Sequence, residues 1–347
     1  MNPFLTVPAR PQEELLLLEL TSAVAGKRVL CNTSGRGQFA IAAAAEAQQV
    51  NCHFLDLYHL QQCRITAGEI PQNLHLVCET DFSAGPFDLA ALSFSKQGDG
   101  ELVRDLLQQG HERLEIGGRM AVSTDNRADS FLHDELRKLF AKVTRRPGSA
   151  GVIYLATKTG PLRKLKNFAC EFPFREGERL IQLRTRPGVF SHRRLDGGAR
   201  ALINEMQIQP GMKVLDLGCG SGAVAIAAAL RAENVNVHAG DSNPRAVEAA
   251  AWAASQNEVH NLTAILDCDG TNLPDDTYDL VLANAPYFAN FRIAEHFART
   301  AARTLIVGGT ALFVTKTPGW YTERLPKWFS YVEPRPGKNY TIVAAKK

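Results

Sequence analysis

The chain has 347 residues, of which 45% are hydrophobic and 22% are charged, an ordinary globular composition with length enough for two domains. The net charge of +3 is uneven, because two strongly basic segments, 158–200 and 298–347, interrupt an otherwise acidic chain and favour a surface that faces a polyanion. No apolar run approaches the roughly 20 residues that span a bilayer and no leader peptide is evident, so we expect a cytoplasmic protein without a membrane partner. The seven cysteines form no CxxC pair, so we expect neither a disulfide framework nor a metal site.

The predicted elements begin with a buried helix around the four leucines at 15–18. In both halves, β-rich runs then alternate with helical runs, which predicts βαβ units and a mainly parallel sheet covered on both faces. A junction rich in lysine, glycine and proline between Thr157 and Leu180 predicts domains at 1–165 and 166–347. The second half is predicted to contain strands at 213–217, 235–240, 262–266, 280–284 and 310–315, helices at 223–232, 244–256 and 294–305, and a closing antiparallel pair at 329–332 and 340–345.

A nucleotide-binding pattern occurs twice in the chain. It reads VLCNTSGRG at 29–37 and VLDLGCGSG at 214–222, and at the same offset Asp56 aligns with Asp241. Agreement in the same order over such a span predicts a duplicated domain. The first copy has Cys31 where the second has Asp216, and Thr33 where the second has Gly218, so only the second copy keeps an intact loop.

The intact loop carries the glycines of a strand-to-helix turn, whose backbone approaches a ligand closely and aims helix N–H groups at it. A GxG pattern alone leaves an NAD(P) site open, since dinucleotide enzymes share it. Two acids narrow the choice: Asp216 precedes the loop within its strand, and Asp241 ends the next strand, where it can accept hydrogen bonds from two ribose hydroxyls. The three loop glycines are Gly218, Gly220 and Gly222, spaced as GxGxG.

These motifs resemble those of class I S-adenosylmethionine-dependent methyltransferases. The resemblance implies S-adenosyl-L-methionine as cofactor, with the glycine loop beside its methionine portion and Asp241 on its ribose. It also implies an acid after the third strand that contacts the adenine. Asp269 is the best match for that acid, and Asp267 is a close competitor.

The strand at 280–283 leads into Asn284-Ala285-Pro286-Tyr287, which resembles the (N/D)PP(Y/F) motif of methyltransferases that modify planar amino groups. In that family, the Asn oxygen and the next carbonyl accept the two N–H groups of the amine, and the aromatic residue stacks on the target base. Ala285 stands where proline is usual. It still offers its carbonyl and still precedes a proline, which favours an extended backbone, but it lacks the rigid ring.

Upstream of the loop stand the motifs RPGVFS at 186–191 and LDGG at 195–198. With the tandem organisation, they resemble the RsmC/RlmG family of ribosomal RNA guanine-N2 methyltransferases. The resemblance implies an α/β fold of tandem Rossmann-like class I domains, each a mainly parallel doubly wound sheet with an antiparallel edge. It further implies that Phe190 and Asp196 line the cofactor or base pocket, that the protein is a monomer, and that ribosomal RNA or a ribosomal subunit is the partner.

Several alternatives remain open from the sequence. The same tetrapeptide serves adenine N6 and protein glutamine amides, and a non-catalytic RNA-binding pseudo-methyltransferase is a rival from another class. The degenerate first copy is expected either to recognise RNA or to act as a scaffold. Candidates for phosphate contacts, whose effect should fade with salt, are Lys316, Arg324, Lys327, Arg335 and Lys338.

Overall fold

A computed structural model describes residues 9–286 and 291–347 of the chain. The chain divides into two compact units, Met1–Phe168 and Ala169–Lys347. Each unit is an α/β structure built around its own seven-stranded sheet, and the C-terminal unit also carries a separate two-stranded sheet. None of the helices in the described ranges is long and apolar enough to cross a membrane.

The N-terminal unit contains strands β1–β7 and helices α1–α5. The strands lie in the order β3-β2-β1-β4-β5-β7-β6. In chain order the elements are α1 (Pro11–Leu20), β1 (Arg28–Asn32), α2 (Gln38–Ala43), β2 (Gln49–Phe54), α3 (Leu57–Ala67), β3 (Leu74–Cys78), β4 (Phe87–Phe94), α4 (Gly100–Arg113), β5 (Leu114–Thr124), α5 (Phe131–Leu139), β6 (Val143–Pro147) and β7 (Val152–Thr157).

The C-terminal unit opens with a hairpin and then repeats this arrangement in the order β12-β11-β10-β13-β14-β16-β15. Its elements are β8 (Cys170–Glu176), β9 (Arg179–Thr185), α6 (Gly197–Glu205), β10 (Lys213–Leu217), α7 (Ala223–Ala229), β11 (Asn236–Asp241), α8 (Pro244–Gln256), β12 (Leu262–Leu266), β13 (Tyr278–Ala283), α9 (Arg292–Thr304), β14 (Leu305–Thr315), α10 (Pro318–Arg324), β15 (Tyr331–Pro336) and β16 (Thr341–Lys346).

The two seven-stranded sheets share one topology. In each sheet, the first five strands in this order are parallel. The sixth strand is antiparallel to the fifth, and the seventh, at the edge, is antiparallel to the sixth. The predicted fold class, tandem doubly wound domains with an antiparallel edge, is confirmed. Because parallel strands all end at the same edge, the loops that follow β10, β11, β12 and β13 meet at the carboxyl edge of the C-terminal sheet.

Burial on both faces explains why the central strands read as continuous apolar runs. In β13, Leu280 and Leu282 pack into the core on one face, and Val281 and Ala283 pack into the core on the other. Every residue of α7 is also buried, which small side chains allow.

Several local predictions differ from the structure. The sequence does not predict the hairpin β8–β9, because its residues fall in the basic segment 158–200. The predicted strand 329–332 instead runs from Tyr331 to Pro336 and includes two prolines, Pro334 and Pro336. These are tolerated because β15 is an edge strand that pairs only with β16. Helix α7 ends at Ala229, short of the predicted residue 232.

Candidate active site

The glycine loop turns from β10 into α7 through backbone conformations that favour glycine. Gly218, Gly220 and Gly222 have φ values of +72°, +52° and +79°. A Cβ at Gly222 would lie 2.8 Å from the Cα of Ala250, so this glycine lets α7 and α8 pack closely. At Gly220, by contrast, the nearest atom to an added Cβ is 3.9 Å away, the carbonyl oxygen of Phe190, so the middle of the loop faces open space.

Asp241, the last residue of β11, ties the loop to the next crossover. Its Oδ2 accepts a hydrogen bond from the Gly220 N–H at 3.0 Å, and its Oδ1 accepts one from the Asn243 N–H at 2.9 Å. A carboxylate offers about four lone-pair sites, so it can hold the loop and accept from a ligand hydroxyl at the same time. The acid predicted to hold a ribose therefore lies directly beside the loop predicted to approach the cofactor.

Asp216, the residue before the last of β10, has 3% of its surface exposed. Burial is the main reason that its pKa is raised to about 7, and the nearby charge of Asp241 adds to this, while a hydrogen bond from the Ala225 backbone opposes it. Its Oδ2 has no hydrogen-bond partner among the described residues. A buried carboxylate oxygen without a partner is costly, and a cationic ligand group would satisfy it.

The loop after β12 contains both candidate adenine contacts, Asp267 and Asp269, and gives them different environments. Asp267 is buried, and its two carboxylate oxygens accept the backbone N–H groups of Asp269, Gly270 and Asn272. It therefore shapes the loop. Asp269 is exposed, and its Oδ1 is held by the Thr271 backbone and hydroxyl. Partial burial raises the pKa of Asp269, but the hydrogen bonds from Thr271, together with the interactions with Asp267 and His296, lower it overall. Because Asp269 is exposed and Asp267 is buried, the Asp269 carboxylate is the more accessible of the two to a ligand.

The segment 187–191 is anchored beside the loop by residues of α8. Arg245, completely buried, donates from Nη1 to the carbonyl of Pro187 at 2.7 Å, and the Asn243 side chain donates to the carbonyl of Gly188 at 2.8 Å. Phe190 is 59% exposed. Its side chain is thus an accessible aromatic surface on a segment that borders the open face of Gly220.

The residues of the tetrapeptide begin just past the end of β13. Asn284 is partly buried and Ala285 is 3% exposed, with Pro286 after it. Asn284 donates from Nδ2 to Asp196 Oδ2 at 2.8 Å. Tyr287 lies outside the described residues.

The resemblance assigns Asp196 to the cofactor or base pocket, and the structure places it at the start of α6. It caps α6, where its Oδ2 accepts from the Gly198 and Ala199 backbone N–H groups at 2.8 and 3.1 Å. The same oxygen receives the Asn284 amide. Asp196 is therefore a direct neighbour of the tetrapeptide.

Three site residues were missed from the sequence: Gly198, Asn243 and Arg245. Asn243 caps α8 and was recognisable as a cap from its place before Pro244. Arg245 gave no signal, because an arginine in a helix is ordinarily solvated. Gly198 is the second glycine after Asp196, and only the packing shows that its missing side chain matters.

In the N-terminal unit, side chains of the unit itself contact the loop between β1 and α2, which corresponds to the glycine loop. Glu13 of α1 has 1% exposure and accepts hydrogen bonds from the Thr33 hydroxyl and, at 3.2 Å, from the Phe39 N–H in the first turn of α2. Burial raises the pKa of Glu13 in spite of these bonds. Arg10 covers the same loop by donating to the Ser34 carbonyl.

Residues 180–344 match the family model described as "Methyltransferase small domain". Curated relatives include a "Ribosomal RNA large subunit methyltransferase G" from Pseudomonas putida, 26% identical over 92% of this chain and 88% of the relative, and one from a Shewanella species, 29% identical over 80% and 73%. A "Ribosomal RNA small subunit methyltransferase C" from Hahella chejuensis is 31% identical over 40% of this chain and 43% of the relative. The match to such small-subunit relatives spans about half of their length.

Among solved structures, a T. thermophilus 16S rRNA N2 methyltransferase (RsmC) in complex with AdoMet and guanosine covers 97% of this chain and 92% of its own, with a TM-score of 0.83 at 20% identity. At that identity the likeness establishes the fold. The family match covers the part of the chain that contains the glycine loop, the two strand-end acids and the tetrapeptide. Residues 180–344, the part of the chain that is similar to the methyltransferase small domain family, lie within the C-terminal unit.

Proposed function

We propose that the protein transfers a methyl group from S-adenosylmethionine to the exocyclic N2 of a guanine in ribosomal RNA. The observation that carries the proposal is the amide of Asn284, held at the carboxyl edge of the sheet next to the glycine loop and its acids. The relatives support the substrate class, since those named above are ribosomal RNA methyltransferases. We assign residues 1–165 to a supporting domain and residues 166–347 to the catalytic domain.

The C-terminal cradle fits S-adenosylmethionine on three counts. The open face of Gly220 leaves room for a ligand against the loop. The buried Asp216 Oδ2 lacks a partner that an ammonium group would supply. Asp241 and Asp269 place carboxylate acceptors at the ends of two successive strands, suited to ribose hydroxyls and an adenine amine. The bound cofactor supplies an electrophilic methyl group on a sulfonium.

The chain's own residues would orient the amine that attacks this methyl group. The Asn284 Oδ1 and the carbonyl of Ala285 accept its two N–H groups, which favours the pyramidal nitrogen that an in-line displacement requires. Pro286 keeps the turn extended, and Tyr287, from the resemblance, would stack the base, which must leave its helix if it is paired. Positioning supplies most of the rate in such a reaction.

A basic edge next to Asn284 suits the RNA backbone. Because β14 and β16 are antiparallel, Thr315 pairs with Thr341, and Lys316 and the turn that carries Lys338 both lie at the carboxyl edge. The Lys316 Nζ is 5.1 Å from the Tyr340 ring centre, and a Cβ on Gly197 would lie 3.0 Å from the same ring. We assign phosphate contacts to the two lysines.

The other basic candidates are less suited. Arg335 is bonded to both Glu205 and Glu333 at 2.7 Å, so its charge is compensated within the chain. Lys327 lies within three residues of Ser330, whose N–H donates to the carbonyl of Lys346, the end of β16 farthest from the carboxyl edge. Lys327 is therefore a suitable negative control.

For the N-terminal unit we propose a supporting role without cofactor. The Glu13 carboxylate occupies the N-terminus of α2, the place where an anionic or polar ligand would bind a glycine loop. The affinity for RNA that remains when Lys316 and Lys338 are removed decides whether the N-terminal unit binds RNA or only supports folding. We further propose a cytoplasmic monomer, since ribosomal RNA is made there and the fold needs no second copy to complete the site.

The decisive experiment is mass spectrometry of nucleosides from ribosomal RNA of cells with and without the gene. We expect one N2-methylguanosine to disappear, and to return with the wild type but not with Asn284→Ala. Loss of N6-methyladenosine instead would move the substrate within the methyltransferase class, as would loss of a methylated glutamine in peptide mass spectrometry of the same cells. No change in any of these, together with no binding of S-adenosylmethionine in vitro, would refute the enzyme, and RNA binding by the same protein would then favour the non-catalytic RNA-binding alternative.

A further inference from the structure

We propose that Asp196 is a positioning residue that fixes the orientation of the Asn284 amide, so that its oxygen and not its nitrogen is presented to the amine that is methylated. The inference rests on the proposed function for the identity of that amine. The observation behind it is a single carboxylate oxygen, Asp196 Oδ2, that receives the Asn284 Nδ2 at 2.8 Å together with the N–H groups of the second and third residues of α6.

A carboxylate determines the orientation of an amide because it can only accept hydrogen bonds. The amide nitrogen of Asn284 must therefore face Asp196, and Oδ1 must face away from it. Within 9–286 and 291–347, Oδ1 accepts no hydrogen bond, so it remains available to an N–H of the substrate. An unrestrained amide would spend part of its time with a donor where the reaction needs an acceptor.

The backbone of α6 holds Asp196 in place for this task. As the N-cap, the carboxylate is bound by Gly198 and Ala199, which leaves its side chain little freedom. Gly198 also provides the space for the Asn284 amide: a Cβ there would lie 3.0 Å from both Nδ2 and Oδ1 of Asn284 and 2.8 Å from Asp196 Oδ2. Any larger side chain would press on both members of the pair.

The internal duplication offers a comparison within the same chain. The offset that aligns β1 with β10 also aligns α1 with α6, and it places Pro11 at Asp196 and Glu13 at Gly198. Ser93 is the counterpart of Asn284. The copy that lost the asparagine has therefore also lost its orienting carboxylate and the space beside it, as expected if the three residues act together.

The pairing also explains why residue 284 is asparagine, although the motif admits aspartate. A carboxylate at 284 would lie about 3 Å from that of Asp196, and like charges at such a distance repel so strongly that one must take up a proton. An amide, by contrast, can accept the substrate N–H and donate to Asp196 at once without taking up a proton.

The first test compares Asp196→Ser with Asp196→Asn. Serine still caps a helix but is too short to reach Asn284 as well, so we expect kcat to fall by about 100-fold with KM and cofactor affinity little changed. Asparagine keeps an oxygen for both bonds and should stay within about tenfold of the wild type. Asp99→Ser, the same exchange at the N-cap of α4, serves as the control for a lost cap and should leave kcat unchanged.

If Asp196→Ser instead weakens the cofactor and spares kcat, Asp196 lines the cofactor pocket and the proposal is wrong. Equal loss in Asp196→Ser and Asp99→Ser would show a purely structural effect and overturn it as well. Melting temperatures of all variants report whether they fold.

The second test reverses the pair. Asn284→Asp should reduce kcat severely at neutral pH. Adding Asp196→Asn should recover at least tenfold, because the amide introduced at position 196 can donate to the carboxylate introduced at position 284. A double variant no more active than Asn284→Asp would contradict the proposal. Both tests use whichever substrate the wild type methylates, so an rRNA that the wild type leaves unmodified refutes the proposed function without bearing on Asp196.

Discussion

The Gly220 N–H donates to Asp241 Oδ2 at 3.0 Å, so the glycine loop after β10 and the acid after β11 form one structural unit. The open face of the loop and the position of the acid are thus set together. A ligand that touches both would bind a preformed surface, and damage to the acid would also disturb the loop.

We therefore expect Asp241→Ala to weaken S-adenosylmethionine binding by more than tenfold. Hydrogen bonds to a charged group contribute about 1.5–3 kcal/mol, and the substitution removes the ribose acceptor and leaves the Gly220 N–H without its partner. Titration calorimetry measures the effect. The control is Asp56→Ala, the counterpart in the N-terminal unit, which caps α3 through the Tyr58 N–H and should cost about 1 kcal/mol of stability without changing cofactor affinity.

The loop glycines should separate stability from binding. In Gly222→Ala, a left-handed backbone costs about 1–2 kcal/mol and the new Cβ meets the Ala250 backbone at 2.8 Å, so the free energy of unfolding should fall markedly. In Gly220→Ala the backbone cost is similar, but the methyl group enters the open face, so cofactor affinity should suffer more than stability. Denaturant titration and calorimetry on both variants measure this, and equal profiles would show that Gly220 does not face the ligand.

Much of the site was predictable from the sequence because its residues stand in short motifs of consecutive residues. A strand, a glycine turn and a helix occur in consecutive residues, so Asp216, Asp241 and the tetrapeptide could be placed along the chain in advance. The alternation of elements predicted the mainly parallel sheets, and the closing pair of β-rich runs predicted the antiparallel edge of the C-terminal sheet, but the strand order was not predicted. The strand boundaries were less so, as in β14, whose first five residues precede the predicted start at 310.

Long-range contacts could not be read in the same way. Asp196 and Asn284 are 88 residues apart, and nothing in the local pattern says that a helix cap and a strand end share a hydrogen bond. The buried Arg245 is a similar case, because its partner is a carbonyl 58 residues away. Such pairs depend on how α6 and α8 pack on the sheet, which periodicity does not specify.

The raised pKa of Asp216, about 7, predicts a pH dependence of cofactor binding. A cationic ammonium group needs the ionised carboxylate, so affinity should rise with pH up to about 7, and binding below that pH should release a proton. Calorimetry in buffers of different ionisation enthalpy measures the release. Asp216→Asn should bind more weakly and with a flat pH profile, and a wild-type affinity that does not vary between pH 5.5 and 8 would contradict the assignment.

The same group makes the opposite prediction for stability of the cofactor-free protein. Its folded pKa lies above the ordinary value of 3.8, so the folded state holds the proton more tightly than the unfolded state. The stability that Asp216 contributes is present at acidic pH and is lost as the pH rises through about 7. Saturating cofactor should reverse this trend, and comparison of wild type with Asp216→Asn isolates it from other groups.

The carboxyl-edge lysines give a prediction about RNA that is independent of chemistry. Lys316→Ala and Lys338→Ala should each weaken RNA binding and lower the slope of log affinity against log salt by about 1, because each removes one phosphate contact. Lys327→Ala removes an exposed lysine at the opposite edge and should change neither quantity. Binding is followed by fluorescence anisotropy of a labelled rRNA fragment across a salt series. If all three variants change RNA binding alike, the positive charge acts diffusely and the carboxyl edge is not a specific RNA surface. If only Lys327→Ala changes RNA binding, the RNA approaches the opposite edge of the sheet, and Asn284 would not reach its base.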